Sequence, residues 1–339
     1  MTDNNSNNGV PVISLSESNQ NAAAELVKAF EEIGFATLVD HGVDRGSMQA
    51  AFDASGQFFQ LPIETKMESR YQSHDSNRGY IPFQAEKFQT NPDHKETFDI
   101  GWDKDHRGQE APPFTTPWPK EKEGPDVKQR LLAYFEACDD LNLRVMRLLA
   151  EGMKLEDPDF FVNRCNERHC NLRLLYYPQL LEKDYSRFVN PKEDVLVRGG
   201  RHTDYGTITL LAQDDVGGLR VQRRGSTEWF PVPPVPNSFV VNVGDMLERW
   251  TNGRLMATPH QVVHYFDNNP HRNEGDNGAS SENSTTIKER YSIAFFCNAN
   301  KDVVLDTSDF VAPGETPRFE PVKAIDYITQ RLTATISSM

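Results

Sequence analysis

Long apolar runs are missing from this 339-residue chain. None approaches the roughly 20 consecutive apolar residues that a helix needs to cross a bilayer. The opening MTDNNSNNGV lacks the basic-then-apolar order of a secretory signal, so residues 1–10 read as a disordered polar tail. Cysteine is scarce too. Cys138, Cys165, Cys170 and Cys297 show no Cys-X-X-Cys spacing, which favours reduced structural thiols and a cytoplasmic location. Positive charge is the third deficit. Thirty-six Lys and Arg stand against fifty Asp and Glu, a formal net charge of −14, so nonspecific binding to nucleic acid or an anionic membrane is not expected. What remains, 37% hydrophobic and 25% charged, is ordinary globular composition, enough for one large domain or two smaller ones.

Pro11–Leu15 alternates like a short strand, Ala22–Ile33 has the spacing of a helix ended by Gly34, and Phe35–Val39 reads as a second strand. A second helix is expected to carry Met48, Phe52, Phe58 and Phe59. The longest helical pattern runs from about Asp126 to Lys154, with Leu132, Phe135, Cys138, Leu141, Val145 and Leu148 as its apolar stripe. After about residue 170 the period changes to two. Leu172–Tyr177, Thr207–Ala212, Leu219–Gln222, Phe239–Val243, Gln261–Phe266 and Tyr291–Cys297 alternate between turn signals such as Gly217-Gly218 and Asn252-Gly253. Short strands at that spacing predict a sandwich or jelly roll, not a parallel α/β sheet. Asn268–Glu289 is polar and of low complexity, and a surface loop is expected there.

The chemistry gathers in Gly199-Gly200-Arg201-His202-Thr203-Asp204-Tyr205-Gly206. If this segment is extended, His202 and Asp204 project to one face and Thr203 to the other. Two metal-competent side chains then need a third. His260, at the start of the segment that follows the Asn252-Gly253 turn, supplies it. His264 competes, because alternation places it on the same side. Two histidines and one carboxylate form the facial set of non-haem Fe(II) oxygenases, which leaves positions open for co-substrate and O₂. Zinc accepts the same ligands, and His-X-Asp alone also arises by chance. Arg290 and Ser292 share a face of a later strand. An Arg-X-Ser pair is commonly just a surface arginine beside a strand. Beside a His-X-Asp and a distal His, it becomes a carboxylate receiver for a 2-oxo diacid chelated at its other end.

The chain resembles the iron- and 2-oxoglutarate-dependent oxygenases of the isopenicillin N synthase-like superfamily. The motifs carrying the resemblance include Asp40-His41-Gly42, Arg78-Gly79-Tyr80, Tyr176-Tyr177-Pro178, His202-Thr203-Asp204, Gly217-Gly218-Leu219, Asn242-Val243-Gly244-Asp245 and Arg290-Tyr291-Ser292. The resemblance implies a mainly β fold with flanking helices around a double-stranded β-helix (jelly roll). It divides the chain into an N-terminal helix/strand region of the same fold at 11–125 and the oxygenase core at 126–339, with a C-terminal helix and the polar loop at 268–289. It further implies Fe(II) on His202, Asp204 and His260, 2-oxoglutarate on Arg290, Ser292 and Tyr177, and O₂ as oxidant. Favouring His260 over His264 rests on this match.

Arg173, on the face of Asn171 and Leu175, is expected to meet a substrate carboxylate or carbonyl, unless it forms a structural salt bridge. Tyr205 and Phe296 are candidate aromatic walls, unless they are core. A pyrimidine-like or other planar ring fits these three, and their segments are similar to fungal thymine dioxygenases. Ala212–Leu219 instead resembles ethylene-forming enzymes acting on 2-oxoglutarate and arginine. Fungal secondary-metabolite hydroxylases, an oxidase that uses no 2-oxoglutarate, and a jelly-roll binding protein without catalysis are the other readings. The partner expected is a small molecule, and a monomer is expected. His41 is expected to be structural, with His74, His94, His106, His169 and His271 on the surface.

Overall fold

The computed structural model describes residues 9–73, 76–86, 91–104, 114–120, 125–190, 192–223, 225–266, 286–311 and 314–336. His74, His106, His271, the first eight residues and most of the polar loop lie outside that set.

Alternating sequence becomes two facing sheets. The larger has eight strands, in the order Val12–Ser14, Phe35–Val39, Phe239–Val243, Ile208–Gln213, Arg290–Phe296, Asn171–Tyr177, Glu96–Gly101 and Gly79–Ile81. The smaller runs Trp229–Pro231, Leu219–Gln222, His260–Tyr265, Val195–His202 and Val189–Asn190. Every pairing within them is antiparallel except Val12–Ser14 with Phe35–Val39. This is the jelly roll that the period-two pattern predicts. The large sheet takes strands from both sides of residue 125, because Glu96–Gly101 pairs with Asn171–Tyr177.

Between the sheets the apolar filling is small: Phe35, Tyr177, Leu219, Val221, Val232, Val240 and Val262. Leu175, Leu211 and Phe230 pack against this cluster, and buried polar side chains such as Asp204, His260, Arg290 and Ser292 stand among the strands around it. On the outer face, helix Pro125–Gly152 packs against helices Ala22–Glu32 and Arg45–Phe59, forming the main core. Its buried stripe is Leu131, Tyr134, Phe135, Cys138, Leu141, Val145 and Leu149, while Leu132 and Leu148 are only partly buried. The expected stripe is therefore one residue off at its two ends, where a period of about 3.6 brings Leu131 and Leu149 round to the core. Gly34 ends the first helix at φ +79°, and a Cβ there would sit 2.2 Å from the Met256 carbonyl oxygen. No helix among the described residues is long and apolar enough to cross a membrane.

Candidate iron centre

The strand ends at His202, so Asp204 lies in the turn that leads to Ile208–Gln213 rather than on a strand. Strand alternation therefore does not aim it. Two neighbours do. Thr209 and Asn242, directly opposite each other on adjacent strands, donate to Asp204 Oδ2 at 2.6 and 2.7 Å. That leaves Oδ1 facing the two imidazoles, 3.7 Å from Nε2 of His202 and 3.7 Å from Nε2 of His260. Glycine makes the turn possible. A Cβ on Gly206 would lie 2.1 Å from the Cys297 carbonyl oxygen, and one on Gly244 would lie 2.3 Å from that of Gly206.

Both rings are held from behind. Nδ1 of His202 is 2.8 Å from the Gly200 carbonyl oxygen, and Nδ1 of His260 is 3.1 Å from that of Thr258. A carbonyl only accepts, so each Nδ1 carries a proton and each Nε2 is the nitrogen turned toward Asp204. The three ligand atoms lie within 4.8 Å of one another, and this is the group of metal-competent side chains found among the described residues. Burial, with His260 alongside, lowers His202 to about 4, so its ring is neutral at ordinary pH. Burial alone would raise Asp204, but His260, His202 and the bonds from Thr209 and Asn242 outweigh it, and the carboxyl sits below its ordinary value. Two oriented ring nitrogens and an ionised oxygen are a donor set that suits Fe(II). His264 is not among them. Two register irregularities separate it from His260, and it pairs with Leu196 with its ring against Phe266.

Arg290 and Ser292 are both 1% exposed. Arg290 donates from Nε to the Gly217 carbonyl at 2.6 Å, from Nη1 to Ser292 Oγ at 2.9 Å and from Nη2 to Gln213 Oε1 at 3.2 Å. Its guanidinium lies 4.9 Å over the Tyr177 ring. The pair expected to receive a carboxylate is thus assembled on one interior wall.

Arg173 departs from the simplest expectation. Its Nε and Nη2 donate to the two oxygens of Asp99 at 2.7 and 2.8 Å, and Nη1 donates to Glu86 at 3.0 Å. The structural salt bridge is present, with a strand and a loop carboxylate as partners. Lys95 extends it to Glu86 at 3.1 Å and Asp93 at 2.7 Å. Burial alone would raise Glu86, yet Arg173 and Lys95 hold it at about 2. The charge of Arg173 is therefore already balanced. Three of its five N–H donors are used, which leaves two. Asn171 donates to the same Asp99 oxygen at 2.8 Å, which fixes its amide and leaves its Oδ1 buried without a partner. Phe296 lies opposite Asn171 in the sheet, 5.9 Å beneath the Arg173 guanidinium. Tyr205 is partly exposed, with the Arg331 guanidinium of the C-terminal helix 4.6 Å over its ring and Arg331 also paired to Asp245.

His41 is structural: Nε2 meets the Asn237 carbonyl at 3.1 Å, and Nδ1 accepts from the backbone N–H of Val43. His94 is not on the surface. At 1% exposure its ring packs against Phe188, because its backbone N–H bonds to the Arg198 carbonyl and draws the segment inward. Thr209, Glu86 and Asp99 carried no sequence signal for the site. The interval of five residues from Asp204 to Thr209 suits a turn that returns on itself, but it is not distinctive.

Residues 168–299 match the model of the 2OG-Fe(II) oxygenase superfamily, and residues 10–121 match that of the N-terminal region of non-haem dioxygenases in morphine synthesis. The 2-oxoglutarate-dependent dioxygenase ecdK of Aspergillus rugulosus is 33% identical over 322 residues, spanning 89% of this chain and 90% of its own. The chain belongs to the 2OG-Fe(II) oxygenase superfamily. It is a non-haem Fe(II)- and 2-oxoglutarate-dependent dioxygenase with the double-stranded β-helix fold. A full-length Neurospora crassa protein crystallised in complex with alpha-KG is 31% identical with a TM-score of 0.81, covering 96% of each chain. The same protein with alpha-KG and thymine is 30% identical at 0.81, covering 96% of this chain and 97% of its own.

Proposed function

We propose that this dioxygenase hydroxylates a small, neutral, planar ring that carries a carbonyl next to an N–H, as a pyrimidine does. In this reading His202, Asp204 and His260 hold the iron, and Arg290, Ser292 and Tyr177 receive the far carboxylate of 2-oxoglutarate. When bound, iron with 2-oxoglutarate and O₂ supplies an oxidising power that side chains lack, yielding succinate, CO₂ and a hydroxylated C–H bond. The protein's share is to orient, to neutralise and to exclude water.

The observation that carries the substrate class is the unpartnered Asn171 Oδ1. Its Nδ2 is committed to Asp99, so the buried oxygen awaits a donor, and a buried acceptor left unmet costs about 1–3 kcal/mol. Arg173, bonded to the same Asp99 oxygen, has two N–H groups left for a carbonyl. Its charge is already matched by Asp99 and Glu86, so a second anion is unfavourable and the expectation of a substrate carboxylate narrows to a carbonyl. Phe296 and Tyr205 supply flat apolar faces for the ring. The Neurospora crassa protein, a relative with this fold, has been solved with thymine and with 5-formyluracil.

The test is a binding screen against the anaerobic Fe(II)/2-oxoglutarate protein, followed by succinate release in air. Thymine, uracil and related neutral rings should perturb the visible absorbance and couple succinate release to hydroxylation, whereas orotate, which adds a carboxylate, should not. Coupled turnover with orotate or with L-arginine, and none with any neutral ring, would overturn the assignment.

A further inference from the structure

Arg198 stands four residues before His202 on the strand Val195–His202 and is only 2% exposed. A buried arginine ordinarily has a carboxylate beside it. This one does not. Among the described residues, neither Arg198 nor Arg290 makes an ion pair. Arg198 donates from Nη1 to the Lys288 carbonyl at 3.0 Å and from Nη2 to the Pro178 carbonyl at 2.6 Å, while its Nε is buried without a partner. Its guanidinium lies 5.3 Å over the Tyr177 ring, the ring that Arg290 also covers at 4.9 Å. Asp214 adds a negative charge that acts on Arg198 and more directly on Arg290, but it forms no ion pair with either, and its oxygens accept from the backbone N–H groups of Val216 and Tyr291. Burial, together with the like charge of Arg290, lowers Arg198 to about 10, so it is still cationic at neutral pH.

Two buried positive charges thus converge on one phenol ring, offset only by the charge of Asp214, which pairs directly with neither. Holding them there is unfavourable unless an anion joins them. We propose that Arg198 is a positioning residue for 2-oxoglutarate: it fixes the Tyr177 ring and adds a second positive charge at the end of the barrel that receives the distal carboxylate. The inference rests on the reading that Arg290 and Ser292 bind that carboxylate. Its consequence is selectivity among 2-oxo acids for those with a second negative charge. A role limited to stitching the Lys288 and Pro178 carbonyls would need donors but no charge, and glutamine offers two donors without one.

The experiment is calorimetric titration of the Mn(II)-loaded protein with 2-oxoglutarate and with 2-oxopentanoate, which has the same chain length but no distal carboxylate. Arg198→Gln should weaken 2-oxoglutarate binding by about 10- to 30-fold and leave 2-oxopentanoate within about twofold, as loss of one nearby charge in a partly screened interior predicts. Arg198→Lys, which keeps the charge but not the fork, should stay within about threefold of wild type for both ligands. Equal losses for both acids in Arg198→Gln, or a tenfold loss in Arg198→Lys, would make the arginine a structural stitch and overturn the proposal. If Arg198→Gln does not fold, Arg198→Lys decides by the same ratio. Arg290→Gln separates the two readings. If it weakens 2-oxoglutarate while Arg198→Gln does not, the carboxylate reading survives and this inference falls. If neither variant changes binding, both fall.

Discussion

Thr209→Val is the most exacting perturbation of the iron site, because it removes one hydroxyl and almost nothing else. Thr209 is 4% exposed, and its Oγ donates at 2.6 Å to the Asp204 oxygen that faces away from the imidazoles. Valine has the same shape, so packing is preserved and the lost donor is the whole effect. A hydrogen bond to a charged group contributes about 1.5–3 kcal/mol. Asn242 still holds the same oxygen at 2.7 Å, so the carboxylate is loosened rather than freed. Metal affinity should fall about tenfold, near 1.4 kcal/mol, the low end of what loss of an outer partner does to a metal site. Adding Asn242→Leu should bring the loss toward about 100-fold. Competitive titration with Co(II) under argon measures it, and Thr209→Ser, which restores the hydroxyl, is the control. Wild-type affinity in Thr209→Val, or no recovery in Thr209→Ser, would refute the claim that this donor aims Asp204.

Asp204→Ala should abolish Fe(II)-dependent succinate release, and retained turnover would remove it from the ligand set. Arg173→Ala strands the buried carboxylate of Asp99 and leaves Glu86 with Lys95 alone, and should lower stability by roughly 3–5 kcal/mol in urea unfolding; an unchanged midpoint would show that the network is not structural. His169, whose Nδ1 meets the Ala299 carbonyl at 3.3 Å, is lowered by burial from 6.5 to about 4. Between those values the unfolded chain binds a proton that the folded one refuses, so stability is full above pH 6.5 and falls as pH drops toward 4. His169→Gln should flatten that slope by up to one proton, at most about 1.4 kcal/mol per pH unit; an unaltered slope in pH-dependent unfolding would exclude the histidine.

The jelly roll was legible because alternation is written locally: a strand with one face inward must place apolar residues at every second position. The ligands were legible for a different reason. His202 and Asp204 are chemically distinct and closely spaced, whereas choosing His260 over His264 took the family resemblance, and the structure brings His260 to the other two. Why Asp204 points at the metal was not legible. It leaves the strand, and its direction comes from Thr209 and Asn242, residues that become neighbours only when Ile208–Gln213 pairs with Phe239–Val243. His94 looked exposed among polar neighbours, yet a bond to the Arg198 backbone, over a hundred residues away, buries it.

Arg173 marks the same boundary. One-dimensional pattern assigns it to one face of its strand together with Asn171. Whether its charge is available depends on Asp99 and Glu86, which reach it only through pairing of Glu96–Gly101 with Asn171–Tyr177 and the loop before it. Side-chain period and ligand chemistry are local properties, so the amino-acid order was enough for the class of fold and for naming the three side chains that the fold brings together. Which charges are matched, which donors remain and which acceptor waits inside the barrel had to come from the folded chain, because electrostatic and hydrogen-bond balance is set by neighbours distant in the sequence.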